Sequence, residues 1–158
     1  MHPVQAHMLV NHLPIIGTAI GLMLVVVGMM RRNDALKRAG LIIYTVMGLA
    51  VIPATITGDE AEHAVEHVVG VSEPVLEAHE EGGERLRNIM VGTAIISGLL
   101  LIPVIGEQKS GSFLLGMWLV AASIACVMAI NVGHQGGQIR RPELRGEQPM
   151  QQPTHSNP

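Results

Sequence analysis

Eight histidines carry most of the chemistry open to this chain, with thirteen acidic residues around them. Histidine is the commonest metal ligand and the side chain whose ordinary charge change falls nearest neutral pH. His12 stands in Val10-Asn11-His12-Leu13-Pro14-Ile15-Ile16, where an apolar run begins. An ionisable residue at that depth normally turns toward a bundle interior and finds a partner. At helical spacing it shares a face with Ile16, Ala19 and Met23. Gly17 and Gly21 lie on roughly the opposite face and suit close helix packing. The competing reading of His12 is an imidazole bonded to a neighbouring carbonyl at the membrane interface.

His79 is the second candidate. Ser72-Glu73-Pro74 reads as a helix start, with serine as cap and proline in the first turn. From there Leu76, His79, Gly83, Leu86 and Met90 follow spacings of 3, 4, 3 and 4, which puts His79 on an apolar stripe. Gly83, one turn on, leaves room for something bulky, although Gly82-Gly83 also reads as a helix breaker. His63 and His67 are i and i+4, so one metal ion could bridge them. They point away from the apolar face of Ala61, Ala64, Val65 and Val68, which makes a solvated face the simpler reading. The run from His63 to His67 fits the H-x-x-E-H pattern of one zinc protease class, but no third ligand accompanies it. His134, after the last apolar run, can reach the layer of His12. His2 and His7 precede the apolar zone and are expected to be mobile, and His155 is expected to be inert. Glu80, Glu81 and Glu84 keep their helix soluble, and a carboxylate beside a ligand histidine can fix its tautomer.

Four apolar runs must position these side chains, at about residues 8–30, 39–57, 89–105 and 113–132. Each is close to the roughly 17–25 residues of a spanning helix, and backbone in hydrocarbon must satisfy its own hydrogen bonds, so the runs are helices. Only 15% of residues are charged, against about 25% in soluble domains. Nine of the thirteen acidic residues and three of the eight histidines fall between Gly58 and Arg87. The expected fold is all-α. A four-helix transmembrane bundle fills residues 1–137, short interfacial helices lie in the loop between the second and third spans, and residues 138–158 form a disordered polar tail. The short connections at 31–38 and 106–111 make antiparallel hairpins. Pro53 and Pro103 near helix ends allow kinks. Ten Met and eighteen Gly suit tight helix packing, and the three aromatic residues, Tyr44, Phe113 and Trp118, are too few for interfacial belts.

Gly17-Thr18-Ala19-Ile20 recurs as Gly92-Thr93-Ala94-Ile95, an offset of 75, and Ala54 and Gly58 match Ala129 and Gly133 at the same offset. Duplication of one hairpin competes here with chance matching among small residues. The N-terminus lacks the Lys or Arg that opens a signal peptide, so the first run reads as a retained anchor. A single Cys126 excludes an intramolecular disulfide. A net charge of −3 gives no sign of nucleic-acid binding. Arg31, Arg32, Lys37 and Arg38 crowd one short loop, which favours that loop as cytoplasmic. Both termini and the acidic loop then lie outside a bacterial cytoplasmic membrane, and four spans put every histidine on that side.

The chain resembles a bacterial family of small four-helix membrane proteins, the domain of unknown function 2231. His12-Leu13-Pro14-Ile15 opens the first helix as in that family, preceded by His2-Pro3. Thr57-Gly58 matches the end of its second helix, His79 the histidine before its third, and Gly136-Gly137 the pair after its fourth. The resemblance covers about residues 1–140 and departs in its few aromatics and its His-rich acidic loop. The family brings no established activity. Its members can occur beside respiratory cytochromes, which implies redox work.

Together these readings point to an electron-transfer or structural subunit more than to a stand-alone enzyme. The leading expectation is haem b held by His12 and His79 from different helices, with Gly17, Gly21, Gly83 and Gly92 giving room or close packing. Bis-histidine ligation leaves no open coordination position, which suits electron transfer. One alternative is a membrane anchor of a larger respiratory or other redox complex, or a homo-oligomer. The other is a divalent-metal binding or transport protein using His63, His67 and the acidic loop, with His134 as a further ligand.

Overall fold

The computed structural model describes residues 2–65, 68, 70–102 and 109–146. Every regular element among them is helical: α1 Pro3–Val10, α2 His12–Met30, α3 Asp34–Leu49, α4 Val51–Val65, α5 Glu73–Leu100, α6 Lys109–Gln138 and a 3-10 turn at Pro142–Arg145. α1 and α2 form one bent rod, and so do α3 and α4. Both interruptions, at Asn11 and Ala50, fall three residues before a proline. Pro14 and Pro53 have no N–H to return to the carbonyls of Val10 and Leu49, so the helical ladder is interrupted there while the chain continues. Four rods result, matching the expected count. Residues 3–30, 34–65 and 111–138 are long and apolar enough to cross a membrane by length and composition.

The rods pack in chain order. α2 lies on α3, α1 on α4, α3 and α4 on α5, and α5 on α6, with a lighter α2–α6 contact between the outer pair. The buried positions explain the geometry. On α2 they are Pro14, Thr18, Gly21, Val25 and Gly28, and on α6 Trp118, Ala122, Ala125 and Ala129. This alternation of fours and threes is the seam of near-parallel helices. On α5 Leu76, Leu86, Met90, Thr93, Ser97 and Leu100 keep the predicted register, with His79 and Gly83 part-buried in it. Small residues on the α2–α3 seam let backbones touch: a Cβ on Gly21 would lie 2.7 Å from Tyr44 N and 2.9 Å from the Gly40 carbonyl.

The middle of the bundle is polar but satisfied. Thr93 spends its hydroxyl proton on the carbonyls of Ile89 and Met90, at 2.8 and 3.0 Å, so Tyr44 Oη must donate to Thr93 Oγ1 at 3.0 Å. Trp118 Nε1 donates to the Thr93 carbonyl at 2.9 Å, and Ser97 Oγ to that of Leu41 at 3.0 Å. The Tyr44 and Trp118 rings meet edge to face at 4.8 Å. Phe113 is exposed, as are large apolar residues along the outside of every rod.

Three boundaries differ from the sequence expectation. α4 runs through Gly58 to Val65 and α5 runs through Gly82-Gly83, so the loop holds extensions of the long helices rather than separate interfacial ones. The helices run on through all three: Gly58 lies against His7 and Gly82 against Val132 and Gln135, while Gly83 leaves open space. The chain after α6 is also held. Ser72 N donates to the Ile139 carbonyl at 3.0 Å, and Arg145 Nη1 to that of Gln138 at 2.5 Å. Residues 147–158 of the expected tail, His155 among them, lie outside the described residues.

Candidate functional site

Two of the described histidines reach across to another helix. α1 starts at Pro3, a residue suited to the first helical turn, and carries His7 onto α4. His7 Nδ1 lies 3.0 Å from the Ala54 carbonyl, and its ring sits on Gly58, where an added Cβ would be 3.2 Å from Cε1. On α5, His79 Nδ1 lies 2.9 Å from the Val132 carbonyl of α6, and a Cβ on Gly136 would be 3.0 Å from His79 Cε1. The construction is the same twice: a carbonyl at one position, and a glycine four residues later under the ring.

A carbonyl can only accept, so each bond places a proton on Nδ1, and a ring that is neutral then keeps its lone pair on Nε2. Both rings are part-buried at the same end of the bundle. Burial lowers the His79 pKa below its ordinary 6.5, the bond to Val132 pulls the other way, and like-charge repulsion between the two rings when both are protonated lowers it further. Asn11, between α1 and α2, lies one turn deeper than His7. Its Nδ2 approaches His7 Nε2 at 3.5 Å, and its Oδ1 is buried without a hydrogen-bond partner. Gly83, one turn from His79, has nothing within 4 Å of where a Cβ would stand.

The remaining candidates are placed otherwise. His12 is five residues from His7, hence on a different face; it is exposed and bonds the Met8 carbonyl of its own rod at 2.7 Å. His63 is exposed and bonds the Asp59 carbonyl of α4 at 2.7 Å. His134 is exposed, with Gln138 Nε2 3.0 Å from its Nε2. His67 lies outside the described residues. Gly17 packs against the Met47 side chain in the α2–α3 contact. Among the described residues no three of His, Cys, Asp and Glu converge as a metal-ion group. A shallow concavity walled by Glu77, Glu80, Glu81 and Glu84 lies on α5.

His7 was treated as mobile in the sequence because the first helix was begun at Met8. The signal for its helix is local, since His2-Pro3 starts a helix that continues through His7 into the apolar run, but nothing local shows that the ring ends on α4. No family model, curated protein or solved structure matches the chain. The family resemblance therefore rests on the short motifs that carry it.

Proposed function

We propose that this protein is a membrane electron-transfer component whose centre is held by His7 and His79 at the outward end of the bundle. One observation carries the reading: the doubled imidazole arrangement, with each Nδ1–H tied to a carbonyl of a neighbouring helix, Nε2 of His79 left without a partner among the described residues, and Nε2 of His7 met only by the long contact from Asn11 Nδ2. That tie is how proteins fix the tautomer and aim of a ligand histidine. Haem b fits the donor set, since it takes two axial imidazoles and requires no third protein ligand. Gly83 leaves open space one turn from His79, and the unpartnered Asn11 Oδ1 lies one turn from His7. Haem, when bound, supplies a one-electron couple. The chain's part would be to present the two imidazoles with Nδ1 tied and to limit their movement by seating them on Gly58 and Gly136. The partner of His79 in this reading is His7 rather than His12, whose ring faces outward.

Insertion in a bilayer is supported by the long apolar rods and the apolar outer faces. Both termini and the acidic ends of α4 and α5 then face outward from a bacterial cytoplasmic membrane, beside a respiratory or other redox complex. The resemblance to the domain of unknown function 2231 belongs to the same proposal. The test is a reduced-minus-oxidised visible spectrum of the detergent-purified protein, expressed with ample haem. A sharp low-spin band, at about one haem per chain as two ligands imply, is expected in the native protein and in His12→Ala. His7→Ala and His79→Ala should each lose it. A band that survives His7→Ala rejects this pairing. The lack of any band in the native protein leaves a structural membrane subunit as the better account.

A further inference from the structure

The end of the bundle opposite the histidines is closed by the turn from α2 to α3. Arg32 N donates to the Met29 carbonyl at 3.2 Å, and Asn33 N to the Gly28 carbonyl at 2.8 Å. This pair of bonds is the helix stop whose first residue beyond the cap is left-handed, a place glycine usually fills. Here that residue is Arg32, at φ 51°, alone among the described non-glycine residues in having a positive φ. A side chain at that φ opposes the turn. The turn's geometry therefore gives no reason for an arginine, and its charge does.

The other basic residues join it because α2 and α3 touch here. A Cβ on Gly28 would lie 2.6 Å from Lys37 N, so Arg31, Arg32, Lys37 and Arg38 share one end of the hairpin. Lys37 pairs with Asp34 at 2.7 Å. Arg31, Arg32 and Arg38 are exposed and form no salt bridge among the described residues, although, after the bond from Lys37, the charge of Arg38 also helps to lower the pKa of Asp34. Directly before them stands Met30, 80% exposed. Bare methionine followed at once by bare guanidinium matches the passage from acyl chain to anionic headgroup, whereas a soluble partner would leave Met30 in water.

We infer that this turn is a binding surface for anionic phospholipid headgroups, with Arg31, Arg32 and Arg38 meeting the phosphodiesters. The inference rests on the insertion of the bundle in a bilayer and is independent of the histidine centre. The full chain is reconstituted in nanodiscs of phosphatidylcholine, with and without phosphatidylglycerol, and helix melting is followed by circular dichroism. Phosphatidylglycerol should raise the midpoint by a few degrees. Replacing Arg31, Arg32 and Arg38 together by Gln should remove that rise, while Arg85→Gln with Arg87→Gln, at the other end, should keep it. Arg32→Gly separates the turn from the charge: the midpoint in phosphatidylcholine rises and the response to phosphatidylglycerol shrinks. Inorganic phosphate added to phosphatidylcholine discs should do nothing. An equal rise from phosphate, or an undiminished rise in the triple variant, overturns the proposal. A chain that stays in solution outside the discs overturns the bilayer reading and this inference with it, whatever the haem spectrum shows.

Discussion

An imidazole bonded to its own helix can be released by one rotamer change, whereas one bonded to a neighbouring helix moves only if the helices do. His12 and His63 are of the first kind, and His7 and His79 of the second. The second kind also has a measurable consequence for stability. Burial holds the folded-state pKa of His79 below 6.5 against the opposing Val132 bond, and like-charge repulsion from His7 adds to the lowering when both rings are protonated. As pH falls, the unfolded chain therefore takes up this proton first. The contribution of neutral His79 is complete above about 6.5 and is lost as pH drops from there through the folded-state value. The thermal midpoint in detergent should fall across that window. His79→Gln keeps an N–H for the Val132 carbonyl and cannot be protonated, so it should flatten that part of the profile. An unchanged slope would assign the dependence to other histidines. His79 was legible in the sequence because its stripe of threes and fours is local. His7 was not, because nothing local tells an imidazole that ends on α4 from one that ends in solvent.

The helices themselves were legible from runs of apolar residues, and their ends were not. Glycine reads as a breaker when only its neighbours in sequence are considered, yet Gly58, Gly82 and Gly83 sit inside continuous helices, the first two with other rods packed on them. The offset of 75 shows the same limit. Thr18 and Thr93 are both buried and both bond carbonyls a turn back, and Ala54 and Ala129 are both buried. Yet the counterpart of Gly58 beneath a histidine is Gly136, not Gly133, which meets nothing. One turn separates the sequence match from the structural one. The glycines can be ranked by what surrounds them. A Cβ on Gly21 would strike the backbone of α3, which cannot yield as a flexible side chain would, so Gly21→Ala should cost about 1–3 kcal/mol. Gly92 has nothing within 4 Å, and Gly92→Ala should gain about 0.5–1 kcal/mol from helix propensity. Unfolding of both variants in one detergent checks the pair. Equal losses would mean that Gly92 faces a partner helix, the contact expected of a subunit in a larger complex.

At the scale of the molecule the usual distribution is inverted. Large apolar side chains cover the outside, while inside, between apolar clusters around Leu41 and Met90, Tyr44, Thr93 and Trp118 share a satisfied polar cluster and Ser97 bonds the Leu41 carbonyl. The sequence showed how few aromatic residues there are but not where they go, because the destination depends on a carbonyl and a hydroxyl supplied by α5. The inversion fits a solvent of lipid, where burying apolar surface between helices gains little and packing with internal hydrogen bonds holds them together. The chain carries its own reporter, since Trp118 is its one tryptophan and is fully buried. In detergent or lipid its emission should be blue-shifted and resistant to acrylamide. It should also be resistant to brominated lipid, since both the headgroup region and the acyl chains are screened from it by the surrounding helices. An interfacial tryptophan would be quenched by one or the other. Tyr44→Phe removes the hydroxyl that Thr93 accepts from and should cost about 1 kcal/mol. If the cluster is the central clamp of the bundle, that change should raise the quenching of Trp118 before it changes the helix content. Strong quenching of native Trp118 by brominated lipid would mean that the four rods do not close around it in the bilayer.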